Sequence, residues 1–300
     1  MISSSSTLSF SWLAEGRAFE VVFQTFGSGP QVLFLPAIST VSTRLEWQAV
    51  AAELASQFTV TLVDWPGFGA SSRPRATYSP ALFEAFLRDF ARARFGKPVA
   101  VAAAGHAAGY VLRTAGGGEA LWSRAVLVAP TWRGPLPTAM GLHPKLYALL
   151  HRLVRTPGLG HALYWVSTSR WFLRRMLGRH VFANQNGIDS RLVKEKQRLA
   201  RQRGARFAAA AFVTGALDPF SERSSCVDAV QRTPFPVLLI VGRDTPPKSG
   251  AEMAALTSAG SPRSLVLPGS LGLHEEQARD IVAPLCQFLA QPPVQPLMAS

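Results

Sequence analysis

Apolar and polar positions alternate at the start of the chain and then give way to solid apolar runs. Leu8–Leu13 and Phe19–Phe26 alternate with period two around Glu15-Gly16, which predicts a hairpin of half-buried strands. Gln31–Leu35 (QVLFL), Phe58–Asp64, Val99–Ala104, Arg124–Val128, Val237–Val241 (VLLIV) and Ser264–Leu267 are instead almost continuously apolar. Runs of this kind belong to strands covered on both faces. Segments of helical period separate them: Glu46–Gln57, Ser79–Phe95, one starting near Ala107, Gly250–Ala259 and Glu275–Leu289. Ser79 as N-cap, Pro80 at the first helical position and Gly96 past the end mark the second of these clearly. The alternation predicts an α/β fold, with a mostly parallel central sheet and helices on both faces.

One stretch breaks the rhythm. From Thr131 to Phe220 no strand pattern appears, and helical segments are punctuated by Pro144, Pro157, Gly158, Gly160 and Gly187. This predicts a helical cap inserted into the core. The expected division is residues 1–134 and 221–290 for the two parts of the core, 135–220 for the cap and 291–300 for a tail.

Charge sharpens that division. The net charge is +13, and residues 143–206 hold fourteen Lys or Arg against Asp189 and Glu195 alone. The remainder is nearly neutral, with seventeen basic and sixteen acidic residues. The basicity is therefore a property of the cap. Within it, Arg170, Arg174, Arg175 and Arg179 interleave with Trp171, Phe172, Leu173, Met176 and Leu177, the composition of a helix that lies in a membrane interface. An anionic membrane surface is the first expectation for this segment, and an acidic protein partner or anionic ligand the second. Nucleic acid ranks last, since no binding motif accompanies the charge. The apolar side of the cap helices is expected to pack onto the core. Two cysteines, Cys226 and Cys286, are too few for a disulfide framework and read as buried thiols of a reducing compartment. Residues 1–13 lack a basic lead and a continuous apolar stretch, and no run of about 18 apolar residues occurs. The expectation is a cytoplasmic protein, not secreted and at most peripheral to a membrane.

Four segments carry candidate chemistry. Gly105-His106-Ala107-Ala108-Gly109 sits between a strand and a helix, with small residues throughout. Asp64-Trp65-Pro66-Gly67-Phe68-Gly69-Ala70-Ser71 follows an earlier strand, and Pro236–Asp244 and Leu267–Gln277 close the chain's last two strands. In type, order and spacing these resemble the α/β-hydrolase superfamily, particularly its capped members: epoxide hydrolases, dehalogenases and carbon–carbon bond hydrolases. The resemblance implies a nucleophile at Ala107, a catalytic acid at Thr245 with Asp244 beside it, and a catalytic histidine at Leu271. It implies oxyanion-binding N–H groups at Ile38 and Ala108. None of the three triad positions holds a residue that can perform its role, and the triad works only as a unit. The implied protein is a pseudo-hydrolase that binds a small apolar or amphiphilic ligand, or a partner at an anionic surface. The alternative is a hydrolase or lyase of the same superfamily using rearranged residues. His106, Ser39, Asp244 and His274 are the candidate pocket residues, with His106 expected to pack rather than react. Ser39 and Ser42 are the hydroxyls near enough to replace a lost nucleophile. No cofactor and no metal are expected.

Overall fold

Glu15 and Gly16 both take left-handed backbone (φ +49° and +69°), the pairing that a two-residue hairpin turn needs. They join β1 (Thr7–Ala14) to β2 (Arg17–Gly27) in an antiparallel pair. The computed structural model describes residues 6–141, 143–260 and 262–292, and most of the expected tail lies outside them. β2 continues antiparallel onto β4 (Thr59–Val63), and the rest of the sheet is parallel. With β3 (Gln31–Leu35), β5 (Val99–Ala104), β6 (Trp122–Val128), β7 (Val237–Gly242) and β8 (Arg263–Leu267), the eight strands run in the order β1-β2-β4-β3-β5-β6-β7-β8. The α/β-hydrolase fold expected from the sequence is the fold observed.

The solid apolar strands are explained by two separate core layers. On one face, α2 (Pro80–Phe95) and α3 (Ala107–Ala115) bury Phe83, Phe86, Phe90 and Tyr110 with Trp65. On the other, α1 (Gln48–Leu54) and α13 (Ala278–Leu289) bury Val50, Leu54, Ile281 and Leu285 around Trp47. Ser79 caps α2 by accepting from Leu82 N–H, and Gly96 ends it in left-handed geometry.

Six helices lie between β6 and β7 before the core resumes: α4 (Pro135–Met140), α5 (Pro144–Arg155), α6 (Leu159–Ser167), α7 (Arg170–Met176), α8 (Ser190–Ala200) and α9 (Ala205–Val213). A π turn, Leu177–Val181, follows α7. α10 (Arg223–Gln231) and α11 (Pro247–Thr257) flank β7, and α12 (Leu273–Glu276) follows β8.

Two expected helices are interrupted. Glu46–Gln57 is a 3₁₀ turn, Arg44–Trp47, followed by α1, which stops at Leu54. The Ala55 carbonyl accepts from Ser28 N–H, so the chain turns there to enter β4. Glu275–Leu289 divides at Gln277, whose backbone (φ −114°, ψ 39°) leaves helical geometry. Cys226 is buried as expected, whereas Cys286 is half-exposed because it sits on the outer side of α13, 3.4 Å from Gln57 Oε1.

Candidate functional site

The turn from β5 into α3 reverses the chain at Gly105, its one left-handed residue (φ +52°). Spacing places the apex at Ala107, but Ala107 is already the first residue of α3 and fully buried. The reason is steric: left-handed backbone costs a residue with a Cβ about 1–2 kcal/mol and costs glycine nothing. A Cβ at Gly105 would lie 3.2 Å from that of Ala37 and 4.0 Å from Thr131 Oγ1, which identifies the immediate surroundings of the apex. The Ala108 N–H, expected to bind an oxyanion, donates to the Gly105 carbonyl at 3.2 Å within the helix's first turn. Ile38 is buried in the core layer, and the loop before it is pinned by Trp65 Nε1 donating to the Pro36 carbonyl at 2.9 Å.

The residues expected at the acid and histidine positions, and their neighbours, make structural bonds. Thr245 Oγ1 donates to the Gly242 carbonyl at 2.8 Å. Asp244 is exposed and closes the turn, its Oδ2 accepting from Gly269 N–H at 2.9 Å. Around Leu271 the core is tied to the cap: Ser270 Oγ donates to the His180 carbonyl (3.0 Å), and Gly272 N–H to that of Val181 (2.7 Å). The Glu276 carboxylate accepts from Ala183 and Asn184 N–H at 3.0 and 2.6 Å.

Two buried polar clusters flank the turn, and both include a partner the sequence did not single out. In the first, His106 Nε2 donates to the Leu217 carbonyl at 2.8 Å, sharing it with the Tyr110 hydroxyl at 2.7 Å. Asp218 Oδ1 lies 3.6 Å from the same imidazole nitrogen and accepts from Gly134 N–H at 2.7 Å. Burial pushes His106 down to about 4, against the effect of its bond to Leu217. Burial pushes Asp218 up to about 8 and Glu252 to about 7, despite the nearby Arg133. At neutral pH the folded chain therefore holds a neutral imidazole beside a protonated carboxyl.

This arrangement has a defined pH signature. Unfolded, the carboxyls release their protons near pH 4, so the folded state binds more protons from there up to about pH 8 for Asp218 and about 7 for Glu252, and stability falls as pH rises through that window. His106 works the other way, but only below the unfolded value of 6.5. Between pH 6.5 and 8 the carboxyls act alone, and Asp218 should withdraw about 2 kcal/mol. Urea denaturation across that interval should show the decline, and Asp218→Asn should flatten most of it. A wild-type midpoint that did not move would refute a neutral Asp218.

The second cluster is built on Glu46, in the 3₁₀ turn. His274 Nε2 lies 3.2 Å from Glu46 Oε2, and its ring packs on Trp47 with centroids 4.8 Å apart. Lys196, buried on α8, places Nζ 3.7 Å from Glu46 and 3.0 Å from Glu275. Burial alone would raise the pKa of Glu46, but the bond with His274, the Lys196 charge and the Ser42 hydroxyl hold it below the ordinary carboxylate value. Burial opposes the charge on Lys196, yet Glu46 and Glu275 hold its pKa above the ordinary lysine value. Ser39 Oγ and Ser42 Oγ are 2.7 Å apart at the end of this network. His274 is thus deep in the fold, reached from the cap by a lysine that looks, in sequence, like part of a solvated charge run.

A crevice between Thr40, Ser42 and Phe68 of the core and Leu199 and Ala205 of the cap has a volume of about 10 Å³, the size of one water. Val41 of the core packs there with Leu173, Leu177, Phe182, Ile188 and Val193 of the cap. A larger open recess of about 450 Å³ lies at the far end of α3, among Glu84, Arg113, Phe220, Asp228 and Arg232. Among the described residues, no group of three His, Cys, Asp or Glu side chains is placed to hold a metal ion.

The cap's apolar side corrects an expectation. Part of it does pack inward, through Leu173 and Leu177, but much does not. Trp171 is 72% exposed, Val166 62% and Trp165 61%, and Leu159, Leu163 and Phe172 are exposed beside them. α6 packs mainly on α5 and α7, which leaves its outer side to solvent. Arg174, Arg175 and Arg179 are exposed along the same segment, and Arg170 Nε bonds Gln197 Oε1 at 3.1 Å.

Sheet order, inserted cap and strand–turn–helix site together define the α/β-hydrolase class. The chain belongs to the alpha/beta hydrolase family, which it matches over residues 32–285. Among solved structures it is similar to a thermophilic esterase from Thermogutta terrifontis, at 17% identity and TM-score 0.72 over 95% of this chain and 98% of that one. The enol-lactonase of Burkholderia xenovorans superposes with TM-score 0.70 at 16% identity, over 94% and 100% of the two chains. A serine hydrolase involved in carbazole degradation gives 0.71 at 15%, over 95% and 99%. At these identities the likeness is one of fold. Uncharacterized proteins of Mycobacterium tuberculosis and Mycobacterium bovis are 40% identical over 73 residues, 24% of this chain and 21% of theirs. The match thus spans about a fifth of the length of those curated relatives. No helix among the described residues is long and apolar enough to cross a membrane.

Proposed function

We propose that this member of the family has kept the frame without the acyl-enzyme chemistry and works as a binding protein. One observation carries the reading: neither Gly105, at the apex, nor Ala107, at the spacing-defined position, has a side chain that can attack a carbonyl. Thr245 and Leu271, at the other two stations, cannot supply an acid and a base. Cap side chains packed onto Val41 of the core favour a partner or surface over a small ligand enclosed there.

A second reading has its own observation. Ser42 lines the crevice and its hydroxyl helps to hold the Glu46 carboxyl below its ordinary value, and Glu46 in turn meets His274, so a hydroxyl, a carboxylate and an imidazole stand in one row. The order counts against hydrolysis: the serine meets the carboxylate rather than the imidazole, and a carboxylate of lowered pKa is a weak base for a hydroxyl proton. A fluorophosphonate probe and a panel of p-nitrophenyl esters separate the two. Neither labelling nor turnover above buffer is expected; labelling that Ser42→Ala or Ser39→Ala removes would establish the rearranged enzyme.

A further inference from the structure

We propose that the outer face of α6 and α7 docks on an anionic lipid surface, with Trp171, Phe172, Trp165 and Val166 entering the interface and the cap arginines meeting the headgroups. This deepens the binding role proposed above and rests on it.

The starting point is a helix in the wrong environment. From Leu159 to Ser167, α6 (LGHALYWVS) carries no Asp, Glu, Lys or Arg. A helix apolar on all sides is ordinarily buried. Here Leu159, Leu163 and Val166 stand four and three residues apart on one exposed stripe, with Trp165 beside it. α7 follows after two residues and adds Trp171 and Phe172 to the same exposed surface. A patch of this size marks an interaction site.

Charge decides what covers it. Arg152, Arg170, Arg174 and Arg175 are exposed on α5 and α7. No Asp or Glu occurs anywhere between Glu119 and Asp189, so the segment supplies no counter-charge of its own. A second copy docking face to face would bring these like charges together across the contact. An anionic bilayer offers what both components need: an apolar layer for the side chains and, a few ångströms above it, negative headgroups for the arginines. Indole rings, apolar in body and polar at the N–H, suit that boundary.

Flotation of the full chain with vesicles tests this. Recovery with phosphatidylcholine vesicles containing about 30% phosphatidylglycerol should far exceed that with phosphatidylcholine alone, and should fall as salt is raised. Trp171→Ser with Phe172→Ser, both exposed and remote from the core, should lower partitioning about tenfold or more with an unchanged thermal midpoint. Arg174→Glu with Arg175→Glu should do the same. Tryptophan emission quenched by brominated lipid in the wild type, and less so in the serine variant, would place the indoles in the bilayer. Equal recovery with neutral and anionic vesicles would overturn the proposal. So would binding that responds to the arginines but not to Trp171 and Phe172, which would mark a polyanion or acidic protein site instead. A dimer abolished by the serine variant, without vesicle recovery, would assign the face to a second copy and also overturn it. Probe labelling reads the catalytic question separately, so a failure of the docking proposal is distinguishable from a failure of the binding role beneath it.

Discussion

Asp64→Ala should lower the free energy of unfolding by about 3–5 kcal/mol, read from urea denaturation, because it leaves a buried guanidinium without its counter-charge. Asp64 is fully buried, and its carboxylate accepts from Arg44 Nη1 at 2.6 Å, Arg44 N–H at 2.6 Å and Ala70 N–H at 2.8 Å. Arg44 is itself buried and donates from Nε to Gln24 Oε1 at 3.1 Å, so it cannot swing into solvent without breaking its bond to that side chain on β2. The same carboxylate explains Gly69, since any Cβ there would collide with it. Ser71 extends the arrangement, accepting from Val22 N–H at 3.0 Å and donating to the Asp64 carbonyl at 3.0 Å. Asp64→Asn fills the same space and keeps one acceptor, but loses the charge and turns the other oxygen into an NH2 that faces N–H donors, so its loss should be smaller than that of alanine without vanishing. A melt of Asp64→Ala within 1 kcal/mol of wild type would mean that Arg44 finds water, contrary to its burial.

Lys196→Ala should have an effect of similar size, about 3–5 kcal/mol, with a different distribution in space. Removing Nζ leaves Glu46 buried against His274 with its cation gone, and frees Glu275. Native-state hydrogen exchange should show lost protection first in α8 and in the segment around Ser270–Gly272, which the cap clamps. Lys194→Ala, two positions away and exposed, should stay within about 0.5 kcal/mol and serves as the comparison. The effect should persist in high salt, because buried charges are poorly screened. Its pH window follows from the shifts: the contribution of Glu46 is lost only as pH falls below the ordinary carboxylate range, and that of Lys196 only as pH rises past the ordinary lysine value. Equal stability of the Lys196 and Lys194 variants would show that the cluster does not fasten the cap.

The sheet is legible in the chain because strands buried on two faces leave little choice of residue: QVLFL and VLLIV have few other homes. Ser79, Pro80 and Gly96 likewise bound α2 to the residue. What cannot be read depends on partners distant in sequence. Glu46 and His274 are 228 positions apart, and Lys196 reaches Glu275 across 79. Inside the run KEKQR only the helical spacing of Lys196 with Val193 and Ala200 separates it from exposed Lys194, and that spacing does not name its partners. Spacing puts the apex two residues late because paired glycines set an interval, while the backbone selects the residue without a Cβ. The pattern of α6 announces apolar surface and is silent on which side faces water, which its packing on α5 and α7 decides.

Glu276, Ser270 and Gly272 bind the π turn and the residues after it, so the roof is bolted to the segment in which this family's base would stand. Lifting one drags the other. The stretch from His180 to Asn184 can rise only if these bonds to the core break with it.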